Sequence, residues 1–87
     1  MERQPYKLQF TKRAQKDIKS LSPKLKEKLK DILRRKIAPH PESGKPLVGS
    51  LQGYYSVRLS YQDRIVYRIE KDFCTVISIR AKTHYGE

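Results

Sequence analysis

The sequence closes on RAKTHYGE, which packs Arg80, Lys82, His84 and Tyr85 into six residues. These residue types suit chemistry on a phosphate. Arginine forks and lysine hold phosphate oxygens, imidazole exchanges protons near neutral pH, and a phenol can position a sugar, stack on a base or take part in proton transfer. Upstream, Arg58, Arg64 and Arg68 recur at even positions within runs of alternating polarity. Side chains alternate between the faces of a sheet, so with Arg80 they are expected to share one face. Ser56 and Ser78 are also even, and the apolar even positions, Val66, Cys74 and Val76, would give that face its floor. Its only even-numbered carboxylates before His84 are Glu70 and Asp72, both read as turn residues.

An arginine on the solvent face of a strand needs no function, and a histidine near a terminus is commonly just solvated. The set carries more weight than its members. Cations without interspersed carboxylates repel one another, and an anion relieves that repulsion. Neighbouring Arg80 and Lys82 disfavour the imidazolium, which leaves His84 as a neutral base. Lys45, in Gly44-Lys45-Pro46, is grouped with Arg68 and Arg80 as a nucleic-acid contact, although the segment lacks the spacing and following helix of a phosphate-binding glycine loop. The nine acidic residues are scattered, so no metal site is expected. Cys74 reads as a small hydrophobe and His40, between two prolines, as a solvated loop residue. The chemistry that remains is metal-free and cofactor-free cleavage of RNA, whose own 2′-hydroxyl supplies the nucleophile.

Elements that hold such a face are legible in the hydrophobic period. Tyr6, Leu8 and Phe10 alternate as a short strand, and Thr11 is placed to cap a helix with Ala14, Ile18 and Leu21 on one stripe. Ser22-Pro23 stops that helix and starts a second, with Leu25, Leu29, Ile32, Leu33 and Ile37 inward. APHPESGKP reads as a loop. The period then changes to two through YYSVRLS, RIVYRI and FCTVISIR, joined by turns at Gln62-Asp63 and at Glu70 to Asp72. Connections this short make an antiparallel meander. Odd positions from Tyr55 to Ile79, including Phe73, Thr75 and Ile77, form its expected core face. The fold class is α+β in the order β-α-α-β-β-β, with both helices on one face of a small antiparallel sheet.

Eighty-seven residues suffice for one domain over 1–87. The net charge is +11, and residues 1–44 hold 13 basic against 5 acidic side chains while 45–87 hold 7 against 4. Such an excess attracts polyanions, nucleic acid first and an acidic protein second. The longest apolar run is Ile65-Val66-Tyr67, too short for a membrane span, and MERQPY lacks the apolar core of a signal peptide. A single cysteine suits a reducing cytoplasm.

Three ordered stretches, YKLQFTKRAQKDIKSL, KPLVGSLQGYYSVRLSYQDRIVYRI and ISIRAKTHYGE, give the chain a familiar outline. It resembles the RelE/ParE toxin superfamily of prokaryotic toxin-antitoxin systems, in its RelE/YoeB-like branch, over nearly its whole length. That resemblance implies a ribosome-dependent endoribonuclease that cuts mRNA in the ribosomal A site, neutralised by a small antitoxin expected here to be acidic. It assigns catalytic roles to Arg58, Arg64, Lys82, His84 and Tyr85, with His84 selected as the base. The lysine-rich helices would dock on ribosomal RNA. Two alternatives stay open: a ParE-like inhibitor of DNA gyrase, and a catalytically inactive basic RNA-binding module.

Overall fold

The structure is a computed structural model that describes residues 5–81, with side chains as far as Ile79. Lys82, His84 and Tyr85 lie outside the described residues. The chain forms β1 (Lys7–Phe10), α1 (Lys12–Lys19), α2 (Pro23–Ile32), β2 (Lys45–Pro46), β3 (Tyr54–Arg58), β4 (Asp63–Glu70) and β5 (Phe73–Ala81). The strands make one sheet in the order β1-β5-β4-β3-β2. Every pairing is antiparallel except β1 with β5, which is parallel; the two helices and β2 to β4 lie between these strands in the chain.

Local chemistry starts both helices where the sequence places them. Thr11 Oγ1 accepts from the Ala14 N–H at 3.0 Å, and Ser22 Oγ accepts from the Leu25 N–H at 3.3 Å with Pro23 in the first turn. The second helix ends in a π-helical turn, Leu33–Ile37, in which the Ala38 N–H donates to the Leu33 carbonyl at 2.8 Å. Ala14, Leu29, Leu33 and Ile37 from the helices join Val57, Leu59, Ile65 and Tyr67 from the sheet in a single core. Both helices therefore cover one face of the sheet. No helix among the described residues is long and apolar enough to cross a membrane.

The expected strand parity fails in β5. Val66 of β4 pairs with Ser78 but Tyr67 pairs with Val76, so Ile77 is an extra residue, a β-bulge. The bulge flips the face of everything before it. Cys74 and Val76, expected as the floor of the arginine face, are fully buried in the core instead. Phe73 and Thr75, expected in the core, share the opposite face with Arg68. Thr11 holds the bulge in place: its Oγ1 donates to the Ile77 carbonyl at 2.7 Å, and its N–H donates to the Val76 carbonyl at 3.1 Å. Past the bulge, the Ile79 N–H is taken up by the Asp17 carboxylate at 3.1 Å, so α1 covers the strand edge that β1 is too short to pair.

The loop after the helices is shorter than expected, since Lys45–Pro46 pairs with Ser56 and Tyr55 as an edge strand. Asp63 and Glu70 likewise belong to β4, leaving Ser60–Gln62 and Lys71–Asp72 as the turns. A buried phenol fixes the loop. Tyr67, fully buried and stacked on Tyr55 at 5.8 Å, donates its hydroxyl to the Pro41 carbonyl at 2.7 Å. Gly44 passes so close that a Cβ there would collide with the Tyr67 hydroxyl. Burial drives the Tyr67 pKa above the usual phenol range, with Cys74 adding to the rise. Burial likewise pushes the Cys74 thiol from 9.0 up to about 12, with Glu42 a smaller cause. That thiol is a core group, not a nucleophile.

Gly44→Ala is expected to cost about 1–3 kcal/mol through overpacking. In a denaturation cycle, Tyr67→Phe should return part of that loss in the double variant; strict additivity would show that Gly44 does not matter through Tyr67. Both raised pKa values also set a pH dependence. Well below pH 9 these groups are neutral in both states and leave folding unaffected. Above it the unfolded chain ionises first, so stability should fall progressively towards pH 12, and Cys74→Ala should flatten part of that fall in alkaline melts.

Candidate nucleic-acid interface

The sheet face away from the helices is built from three cross-strand rows. In the first, Arg58 of β3 sits directly opposite Arg64 of β4, and the backbone register sets Arg80 of β5 opposite Arg64 in turn. Residues paired in this way are roughly 4.5–5.5 Å apart at Cα. Arg58 is exposed and Arg64 half-buried. Among the described residues, neither makes a hydrogen bond or an ion pair through its guanidinium.

The second row is small and low. Ser56, Val66 and Ser78 are paired across the three strands and are only 6, 4 and 5% exposed. Lys45, exposed, extends this row at the β2 edge through its pairing with Ser56. The bulge that removes Cys74 and Val76 from this face thus leaves a floor of two hydroxyls and one valine.

Tyr54, Arg68, Thr75 and Gln9 make the third row. Here the expectation of a carboxylate-free face needs correction. Glu70, a strand residue, sits 3.4 Å from Arg68 and within 3.2 Å of the Thr75 hydroxyl. Thr75 Oγ1 also lies 3.1 Å from Gln9 Oε1, and its single proton serves one of the two acceptors at a time. The Arg68–Glu70 pair is 41 and 49% exposed, so it contributes little stability. It does tie Arg68 to an internal carboxylate. Arg68 Nε and Ser78 Oγ remain buried donors without a partner among the described residues.

The structure thus brings Arg58, Arg64, Lys45 and Arg68 to one face and the backbone of Arg80 beside Arg64. Lys82, His84 and Tyr85 are not among the described residues, but β5 ends at Ala81, paired with Asp63, at the arginine end of that face. Parity puts Ser78 on the arginine face, where it lies, but assigns Thr75 to the core, so nothing in the sequence marks Thr75 as a neighbour of Arg68. No group of three or more His, Cys, Asp or Glu positioned to hold a metal occurs among the described residues. His40 is exposed, as expected.

A second basic surface lies on the helices, on the other side of the sheet. Its shallow cleft of about 460 Å³ is lined by Glu27, Lys28, Lys30, Asp31, Arg34 and Arg35. Signs are mixed there, and Arg35 is paired with Asp31 at 2.9 Å. On the sheet face, Arg58 and Arg64 have no carboxylate partner among the described residues.

The sequence matches the family model of the YoeB-like toxin of bacterial type II toxin-antitoxin systems over residues 6–85. The chain belongs to that family and is a YoeB/RelE-like toxin of a type II toxin-antitoxin system. Solved structures agree. A chain of the toxin-antitoxin complex RelBE2 from Mycobacterium tuberculosis superposes with TM-score 0.78 at 26% identity, covering 88% of this chain and 98% of that one. The YoeB/ParE toxin from Agrobacterium tumefaciens gives 0.76 at 30% identity, over 91 and 99% of the two chains. The E. coli RelBE toxin-antitoxin complex gives 0.69 at 30%, over 87 and 95%. No match to a curated protein reaches significance.

Like charges directly opposite across strands destabilise a sheet. Arg64→Gln is therefore expected to leave the melting temperature unchanged or higher, with the gain larger at low salt than at high salt, where screening already weakens the repulsion. A marked loss of stability in thermal melts at two salt concentrations would show that Arg64 is held by a structural partner.

Proposed function

We propose that this toxin is a metal-independent, ribosome-dependent endoribonuclease that cleaves mRNA in the ribosomal A site and so stops translation. The observation that carries the reading is the Arg58–Arg64 pair, directly opposed and without a carboxylate partner among the described residues. Such a pair costs stability and suits an anion with several oxygens in one plane.

In this mechanism the ribose 2′-oxygen loses its proton to His84 and attacks the adjacent phosphorus. Charge grows on the phosphorane oxygens, where Arg58, Arg64 and Lys82 donate. The bond from phosphorus to the 5′-oxygen breaks, that oxygen takes up a proton, and a cyclic phosphate is left on the upstream fragment. Tyr85 orients the nucleotide or shares in proton transfer, while Lys45, Arg68 and Arg80 hold neighbouring phosphates. Proton transfer contributes about 10²–10⁴-fold, and each donor aimed at developing charge about 10²–10³-fold. DNA lacks the internal nucleophile and is not a substrate by this route.

The exposed lysines of the two helices, on the opposite surface, serve to hold ribosomal RNA in a salt-dependent manner. Three of the similar structures are toxin-antitoxin complexes. The antitoxin of this chain is accordingly proposed to be an acidic segment that offsets its charge of +11. Action is placed in the cytoplasm, where ribosomes are.

Primer extension on an mRNA, with and without ribosomes, tests the reading. Cuts within codons are expected only with ribosomes, reduced at least about 10²-fold in Arg64→Ala and in His84→Ala. Absence of cuts with the unaltered protein would remove the nuclease reading. Because the Agrobacterium relative bears the ParE name as well, a gyrase supercoiling assay is the control for the alternative activity.

A further inference from the structure

Asp17 stands in the last turn of α1, where a carboxylate faces the negative end of the helix dipole and a cation is the favourable choice. Its side chain is only 20% exposed, so it also gives up part of its hydration. The neighbouring cation does not account for this placement. Arg13, one turn earlier, reaches Asp17 Oδ1 at 3.4 Å, but the arginine is 73% exposed and a pair of this kind contributes little. The other oxygen, Oδ2, accepts from the Ile79 N–H at 3.1 Å, a charge-assisted bond to backbone 62 positions away.

The strand it grips leads into the arginine face. β1 accompanies β5 only from Phe73 to Val76, and Thr11 takes the carbonyls of Val76 and Ile77. Beyond that point β4 still pairs with β5 on one side, Ile65 with Ile79 and Arg64 with Arg80, while Asp17 holds Ile79 on the other. Ile79 is one residue before Arg80, and Lys82, His84 and Tyr85 follow in the sequence. A carboxylate on a helix thus fixes the backbone immediately ahead of the residues to which phosphate chemistry is assigned.

We propose that Asp17 is a positioning residue of the nuclease, acting through the Ile79 backbone to hold the end of β5 in the register that sets Arg80 opposite Arg64. The proposal rests on the nuclease reading above and adds to it a residue outside the arginine face. Misplacement by about 1 Å can cost roughly 10²-fold in rate even when the substituted residue is remote from the reacting atoms. The loss is expected in kcat and not in KM, since the exposed lysines proposed to hold ribosomal RNA are unaltered.

Full-length Asp17→Asn, Asp17→Leu and Arg13→Gln proteins test this by ribosome-dependent cleavage, with amide exchange followed by NMR. Asparagine keeps an acceptor oxygen of the same reach; leucine, of similar bulk, has none. Asp17→Leu should lower kcat by about tenfold to 10²-fold with KM within about twofold. Its Ile79 amide should exchange freely while the Ile65 and Tyr67 amides stay protected. Asp17→Asn should recover most of the rate, and Arg13→Gln, which removes only the surface pair, all of it. Should the leucine variant fail to fold, the same bond can be removed from its other end. Cys74 permits ligation of a synthetic segment from Cys74 to Glu87 in which an ester oxygen replaces the Ile79 N–H, and the same fall in kcat is expected. Unchanged kcat in Asp17→Leu or in the ester protein would overturn the proposal and leave the nuclease reading intact. So would an Ile79 amide that stays protected in Asp17→Leu, or a fall in rate that only matches a fall in folded fraction. An Asp17→Asn or Arg13→Gln protein as slow as Asp17→Leu would point to charge and overturn it as well. An unaltered toxin that cuts nothing would remove both readings together.

Discussion

Thr11 Oγ1 accepts from the first turn of α1 and donates to the carbonyl of Ile77, the one residue by which β5 exceeds its partner β4. That small junction governs both faces of the sheet. On the near side of the bulge, Cys74 and Val76 fill the core beneath the helices. On the far side, Ser78 returns to the open face, and the register sets Arg80 opposite Arg64. Without the extra residue, β5 could not offer apolar side chains to the core at one end and its arginine position to the open face at the other. The parallel β1 and the N-terminus of α1 meet β5 at the same place. Helix start, strand end and face reversal are thus fixed by one hydroxyl.

A second clamp secures the other edge. Tyr67 lies under the sheet, yet its hydroxyl reaches the Pro41 carbonyl, and Gly44 leaves room for it. The proline-rich loop is thereby drawn onto the core, and the two residues that follow Gly44 pair with β3. Lys45 is delivered to the open face by a contact made entirely in the interior. Gly44 does its work in packing, and that packing is what brings Lys45 to the sheet edge.

The open face is costly by the standards of stability alone. Opposed arginines repel, and two buried donors, Arg68 Nε and Ser78 Oγ, have no partner among the described residues. Among the described residues of this face, Arg68 is the arginine that is offset, by Glu70. A domain of this size has a small reserve of free energy, so such a surface persists when an anion or an acidic partner occupies it. Membership of a toxin family whose structures include toxin-antitoxin complexes fits this electrostatic design.

Much of this was legible in the sequence because it rests on local rules. The caps at Thr11 and Ser22, the helical stripe from Leu25 to Ile37, and the meander with its short turns follow from spacing and residue type. So does the sharing of one face by Arg58, Arg64 and Arg68, since β3 and β4 pair without irregularity over that stretch. What local rules cannot contain is an extra residue in a strand. Parity assigns Cys74 and Val76 to the wrong face because the bulge at Ile77 is selected by Thr11, sixty-six positions away, and by the need to bury those side chains. The Gln9–Thr75 contact and the edge strand at Lys45 depend on the same kind of distant pairing. The sequence by itself determined which charges the protein carries and which elements bear them. Tertiary structure alone decided which charges stand unpaired together, because cross-strand register is settled by how the whole core packs.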